Sequence, residues 1–305
     1  MLRLDKMHTK TFDIEHSLSL YAFSYAHFPA KHLYESGLSK RLGKAAKKAH
    51  IYFIGLVPII KYENLRVFEK TNIKLDVSVA GASEEFVIPF DRNIVLTEEN
   101  GLYRVFDEQD REAKFDAESV GYFFSKMRGG IPFEVQYVGQ AYGKNGSRKA
   151  IDRLRRHEKL QEISLKGAPE GYQLEVILFE VQPNTSIMTV FNPFAKNDKT
   201  SKSRIKSGVD KLYDTTEIER ITLYEASFIR YFEPCYNKEF KNSFPSTRMK
   251  ILKDCYDKDF SAITAEIYFD DFYYSIFSQK QKAKKYHCSN INLHSSQERE
   301  MFFSP

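Results

Sequence analysis

The sequence predicts an α+β fold: a small three-stranded antiparallel sheet flanked by helices, with a β-rich N-terminal domain before it and a small C-terminal extension after it. Three observations predict it. The chain has 305 residues, enough for two or three domains at roughly 100–200 residues each. Runs rich in β-branched and aromatic residues crowd between 50 and 108, cut by Gly, Asn and Asp breakers. From 116 onward the texture changes to strand-like and helix-like stretches in alternation.

Residues 1–50 read as mixed and partly helical, ending in the basic stretch 39–48. HIYFIGLVPII (50–60), NIKLDVSVAG (72–81), EEFVIPF and GLYRVFDE (101–108) read as strands, closing a first domain at 1–115. The second domain spans 116–245. It opens with VGYFF (120–124) and PFEVQYVG (132–139), read as a hairpin about Gly129-Gly130. A helix over 148–163, a strand over 172–181 and a polar basic insertion at 192–211 follow, the last read as a loop. A second helix covers 216–232. Thr216 and Glu219 form its capping box and Pro234 stops it. The extension, 246–305, holds one strand-like run, ITAEIYFDDFYYSIF, and the basic patch 280–285.

Composition narrows function. The net charge of +5 permits a polyanionic partner without requiring one. No run of 18 apolar residues is present, and the first residues lack a signal-peptide core, so a cytoplasmic protein away from the membrane is expected. Cys235, Cys255 and Cys288 are odd in number and carry no CxxC pair, which argues against a disulfide framework or a cysteine zinc site.

The strongest chemical signal is Glu225. At 100° per residue, Ile218, Ile221, Phe228, Ile229 and Phe232 form one apolar stripe with Glu225 in its middle. A carboxylate facing the core needs an arginine, a cation or an opening to solvent. Arg153 and His157, four apart, would share a helix face. One can bind phosphate through two hydrogen bonds and the other can exchange a proton near neutral pH. The bland alternative is a solvated basic face. Tyr137 and Tyr122 lie on the two hairpin strands, where packing alone would account for them.

In order, a hairpin with Tyr on each strand, Arg-x-x-x-His, a third strand, and a helix with inward Glu followed by Pro-x-Tyr-Asn resembles the GIY-YIG nuclease family over about residues 118–240. Tyr137-Val138-Gly139 matches the second motif, and Val120-Gly121-Tyr122 keeps only the tyrosine of the first. The resemblance implies a GIY-YIG-like core that hydrolyses phosphodiester bonds in DNA with Mg²⁺ or Mn²⁺. Glu225 would hold the metal and Arg153 the scissile phosphate. Tyr122, Tyr137 or His157 would orient or deprotonate water, and Asn237 would brace the site. Gln140 stands where several relatives carry Lys, a phosphate contact that Lys144 would then supply. By analogy the setting is restriction, phage defence or a mobile element.

Lys196, Lys199, Lys202, Arg204 and Lys206 of the insertion suit backbone-phosphate contacts. RNA stays open as the polymer, and the flanking segments could choose the target or make a homo-oligomer. The competing reading is a non-cleaving nucleic-acid-binding module on a degraded nuclease core.

Overall fold

The computed structural model describes residues 9–90, 92–99, 102–115, 117–141, 150–182, 186–246 and 248–299. Its spine is β1 (Ile14–Pro29). The short helices α1 (Leu38–Arg41) and α2 (Gly43–Lys48) lead to β2 (Ile51–Pro58). Next come β3 (Ile60–Phe68), β4 (Asn72–Val79) and β5 (Ala82–Pro89), then β6 (Ile94–Glu99), β7 (Leu102–Asp107) and β8 (Glu112–Phe115). After α3 (Ala117–Arg128) the chain forms β9 (Ile131–Gln140), α4 (Ala150–Leu154), α5 (Glu158–Lys166), β10 (Tyr172–Val181) and β11 (Ser186–Phe191). It closes with α6 (Ser201–Asp214), α7 (Glu217–Phe232), α8 (Lys250–Asp257), β12 (Ala262–Ile267), β13 (Tyr274–Phe277) and β14 (His287–Asn292).

One large sheet runs β13-β9-β2-β10-β1-β12-β14, and β11 pairs with the first half of β1. β2 is antiparallel to both β9 and β10. This topology corrects the expected division at 115 and 245, because strands from all three segments hydrogen-bond into one sheet. The single C-terminal run is in fact two strands: β12 pairs parallel to β1, and β13 pairs parallel to β9. Between β2 and β9 the chain leaves the sheet to make two three-stranded sheets, β3-β4-β5 and β6-β7-β8.

The alternation of side chains sets the layers. Ile51 and Phe53 join Phe179, Phe228 and Phe232 in one core, under α7. Tyr52 and Ile54 join Val176, Leu178, Leu154 and Leu160 in the other, under α4 and α5. Strands covered on both faces have no solvent side to mark with polar residues, which is why β2 reads as a nearly continuous apolar run. Among the described residues no helix is long and apolar enough to cross a membrane.

The helix over 216–232 and its capping box form as expected: Thr216 accepts from the Glu219 amide and Glu219 reaches back to the Thr216 amide. Ile218, however, is 52% exposed and leaves the apolar stripe. Two further expectations fail. Residues 120–124 are not a strand but part of α3, so no hairpin joins Tyr122 to Tyr137. The helix over 148–163 breaks between Leu154 and Glu158, because His157 takes an extended conformation and caps α5.

Candidate active site

The site is built around the C-terminal half of β9. β13 pairs with Ile131–Glu134 of this strand, and among the described residues the edge beyond has no strand partner. Residues 235–237 cover it. Tyr236 donates its amide to the Gln136 carbonyl at 3.2 Å. Asn237 accepts from the Val138 amide at 2.9 Å and donates to the Val138 carbonyl at 2.8 Å. The Asn237 side chain thus takes the place of a neighbouring strand and fixes the backbone between Tyr137 and Gly139. It acts as a brace, with the amide's oxygen and nitrogen each engaged by the Val138 backbone.

Register then sorts the side chains. Tyr52 lies opposite Gly139 and Ile54 opposite Tyr137, so both tyrosines share one face. Tyr52 and Tyr137 stack with centroids 6.1 Å apart, and the His157 ring packs against both, at 5.4 and 5.1 Å. The absence of a side chain at Gly139 makes room for this. A Cβ there would stand 2.5 Å from the Tyr52 hydroxyl and 2.7 Å from the Tyr137 ring. The Tyr52 hydroxyl is buried, with Arg153 and Tyr137 as its polar neighbours and, among the described residues, no partner in strict hydrogen-bond geometry. Burial pushes its proton affinity well above that of an ordinary phenol, and Arg153 alongside opposes the shift. Tyr137 is raised too, by burial and then by the charge of Glu225, again against Arg153.

Gln140, two positions past Val138, points to the opposite face, where α7 packs. It donates from Nε2 to Oε2 of Glu225 at 2.5 Å. Glu225 is buried among the α7 residues that face the sheet. Burial raises its carboxyl to about 7, against the pull of the Gln140 hydrogen bond and of Arg153. A neutral amide, in place of an arginine in direct contact, is what meets this carboxylate.

His157 is held by its cap. Its Nδ1 accepts from the Leu160 amide at 3.3 Å. Burial, helped by the Arg153 charge, lowers its pKa to about 4. A cavity of about 610 Å³ opens here, lined among the described residues by Asp152, Arg153, Arg156, His157, Glu158 and Lys159. Cations outnumber carboxylates on this wall, as an anionic ligand would require.

Of the residues singled out in the sequence, Tyr137, Arg153, His157, Glu225 and Asn237 converge on this end of β9. Tyr122 does not. It stands on α3, 47% exposed, with Lys126 over its ring. Lys144 lies outside the described residues. The 192–211 insertion is largely α6, and Arg204 is no phosphate ligand: it is buried and paired with Glu15 at 2.6 Å and with Asp259. Lys196 pairs with Glu298 at 2.7 Å. Lys199, Lys202 and Lys206 are exposed. The residue that sequence reasoning misses is Tyr52, with Ile51 before it at the start of β2. That Ile-Tyr pair was the available signal, hidden by the excursion that separates it from Tyr137. No protein-family model, curated protein or solved structure matches this chain.

Proposed function

We propose that this chain is a metal-dependent endonuclease that hydrolyses phosphodiester bonds in DNA, and that Tyr52, in place of Tyr122, is the first-motif tyrosine of a GIY-YIG-like core. The observation that carries the reading is convergence. Tyr52, Tyr137, Arg153, His157 and Glu225 are far apart in the chain, yet electrostatics and ring contacts tie them together at one strand end. In this reading β9-β2-β10 is the three-stranded core sheet, and the two small sheets are an insertion between its first two strands.

The donor set suits a hydrated Mg²⁺ or Mn²⁺. Glu225 offers one hard, desolvated carboxylate, and among the described residues no group of three His, Cys, Asp or Glu side chains gathers to hold an ion by protein ligands alone. Glu225 would hold the ion, which when bound supplies neutralisation of charge on the phosphate and the leaving oxygen.

The chain's own residues do the rest. Arg153 binds the scissile phosphate and stabilises the charge that builds on it. His157 is neutral, and with Nδ1 accepting the Leu160 amide its proton sits on Nε2. It can donate to a phosphate oxygen or to water, and it has no free acceptor with which to act as base. Orientation of the attacking water falls to Tyr52 and Tyr137. Their raised proton affinity means that neither ionises without added cationic charge. Asn237 and Gly139 keep these groups in register.

The test is incubation of purified protein with supercoiled plasmid, linear duplex, single-stranded DNA and RNA, each in EDTA, Mg²⁺ and Mn²⁺. Metal-dependent nicking or linearisation is expected. Glu225→Ala abolishes it, Tyr52→Phe lowers it by about 100-fold or more, and Tyr122→Phe leaves it unchanged. Cleavage that survives EDTA or Glu225→Ala overturns the proposal. Salt-sensitive retention of DNA without cleavage under any of these conditions replaces it with the binding-module reading.

A further inference from the structure

Helix α6 sits on the protein the wrong way round for an amphipathic helix. The side it turns inward carries Arg204, Gly208 and Lys211, all buried. Arg204 is held by Glu15 and Asp259, and Lys211 by Asp254. Gly208 lies against the His16 ring, where a Cβ would come within 2.8 Å of Nε2. These contacts fix the helix's rotation. Outward it presents Ile205, Val209, Leu212 and Tyr213, with Ile205 and Val209 about half exposed and Tyr213 80% exposed. An apolar ridge at four-residue spacing on an anchored, solvent-facing helix is a surface that burial would stabilise.

The ridge beside it says what covers the first. Lys202, Lys206, Asp210 and Asp214 also follow at four-residue spacing, and all four are exposed. The two lysines precede Gly208 by the same intervals at which the two aspartates follow it. On a single helix this order is unfavourable, because cations stand near the positive end of the macrodipole and anions near the negative end. Against an antiparallel copy it becomes favourable. Lys202 and Lys206 of one chain then face Asp214 and Asp210 of the other, and each also approaches the partner's oppositely charged helix end. Asp214 touches Lys258 within its own chain at 3.2 Å and remains exposed enough to meet a second cation.

We propose that α6 is the interface of a homodimer, in which the helix pairs antiparallel with its counterpart in a second copy across a two-fold axis near Gly208. Ile205 of each copy packs towards Leu212 of the other, Val209 lies beside the axis, and the charged ridges meet along one flank. A two-fold contact requires a patch complementary to itself, and this ordering of charges is self-complementary.

The test measures oligomeric state by sedimentation equilibrium over micromolar concentrations, with circular dichroism as the check on folding. The wild-type chain is expected to be a dimer. Val209→Asp, at an exposed position, raises the dissociation constant by about 100-fold. Lys202→Asp/Lys206→Asp and Asp210→Lys/Asp214→Lys are each monomeric alone and associate one to one when mixed. A wild-type chain that stays monomeric throughout overturns the proposal. So does a dimer indifferent to Val209→Asp, or a mixture of the two charge variants that fails to associate. A monomer whose duplex DNA retention is lost with Lys202→Asp/Lys206→Asp would assign the surface to nucleic acid instead.

Discussion

Two buried glutamates, Glu15 and Glu225, have surroundings that differ in kind. Glu15 on β1 is met by Arg204 at 2.6 Å and Arg299 at 2.8 Å, with the Ser261 hydroxyl on the same carboxylate. Glu225 on α7 is met by the amide of Gln140. The first carboxylate is matched by full charges, and its work is to join β1, α6 and the C-terminal segment around Arg299. The second is desolvated without a comparable match, so its charged form is disfavoured. A buried charge that the fold itself satisfies marks structure. One that the fold leaves wanting is a candidate for binding, which is the reading proposed for Glu225.

The largest expected effect tests the Glu15 side. Glu15→Gln leaves the buried Arg204 and the partly buried Arg299 with Asp259 as their remaining carboxylate, and breaking such a cluster costs about 3–5 kcal/mol. Chemical denaturation should show that loss equally with and without Mg²⁺. A loss below about 1 kcal/mol would mean that the cluster is dispensable and the contrast with Glu225 is empty.

The opposite sign is expected for Glu225→Gln in metal-free protein. Below pH 4.5 the carboxyl is protonated in folded and unfolded chains alike and costs nothing. Between 4.5 and about 7 the folded chain keeps a proton that the unfolded chain releases, so stability falls as pH rises. Above about 7 the full penalty stands, roughly 3 kcal/mol for the shift from 4.5 to about 7. The variant should therefore melt higher than wild type at pH 8 and the same at pH 4.5. Mg²⁺ should raise the wild-type melting temperature and leave the variant's alone. A variant less stable at pH 8 would place Glu225 in the same class as Glu15.

Much of this contrast was legible in the sequence, and the part that was not has a physical cause. Glu225 stands out because helical periodicity is local: an acid between Ile221 and Phe228 is visible within two turns. The β-rich run from 50 to 108, the strand at 172–181 and the capped helix also followed from local pattern. Strand partnership is not local. Nothing in HIYFIGLV says that it pairs with QYVGQ across a two-sheet excursion, so local pattern offers Tyr122, the tyrosine nearer in sequence, as the partner of Tyr137. The 16-residue β1 did carry a period-two signal, with Leu18, Leu20 and Ala22 alternating against Ser17 and Ser19. The basic insertion misled for another reason. Charge composition does not say which lysines and arginines meet buried acids, and the acids that claim Arg204 come from β1 and from residue 259.

The smallest expected effect sharpens the comparison at its narrowest point, the bond from Gln140. Gln140 is half-buried at the end of β9, so a lysine there could keep its stem packed and still bring its ammonium to Glu225. An opposite charge within hydrogen-bonding distance lowers a carboxyl by about 1–3 units. Gln140→Lys should therefore move the midpoint of the pH-dependent loss of stability from about 7 towards the ordinary carboxylate range. The gain above pH 7 would be about 1.4 kcal/mol for each unit moved, less the cost of desolvating the lysine. The same substitution converts Glu225 towards the Glu15 condition, so, if the proposed ion sits at Glu225, stabilisation by Mg²⁺ should shrink as the new cation competes for the carboxylate. An NMR titration of the Glu225 carboxyl carbon, with and without Mg²⁺, reads both effects in one experiment. If the midpoint stays near 7, the amide of Gln140 is not what faces Glu225. If it falls while Mg²⁺ binding is undiminished, the ion is held elsewhere, and the unmatched carboxylate has some other purpose.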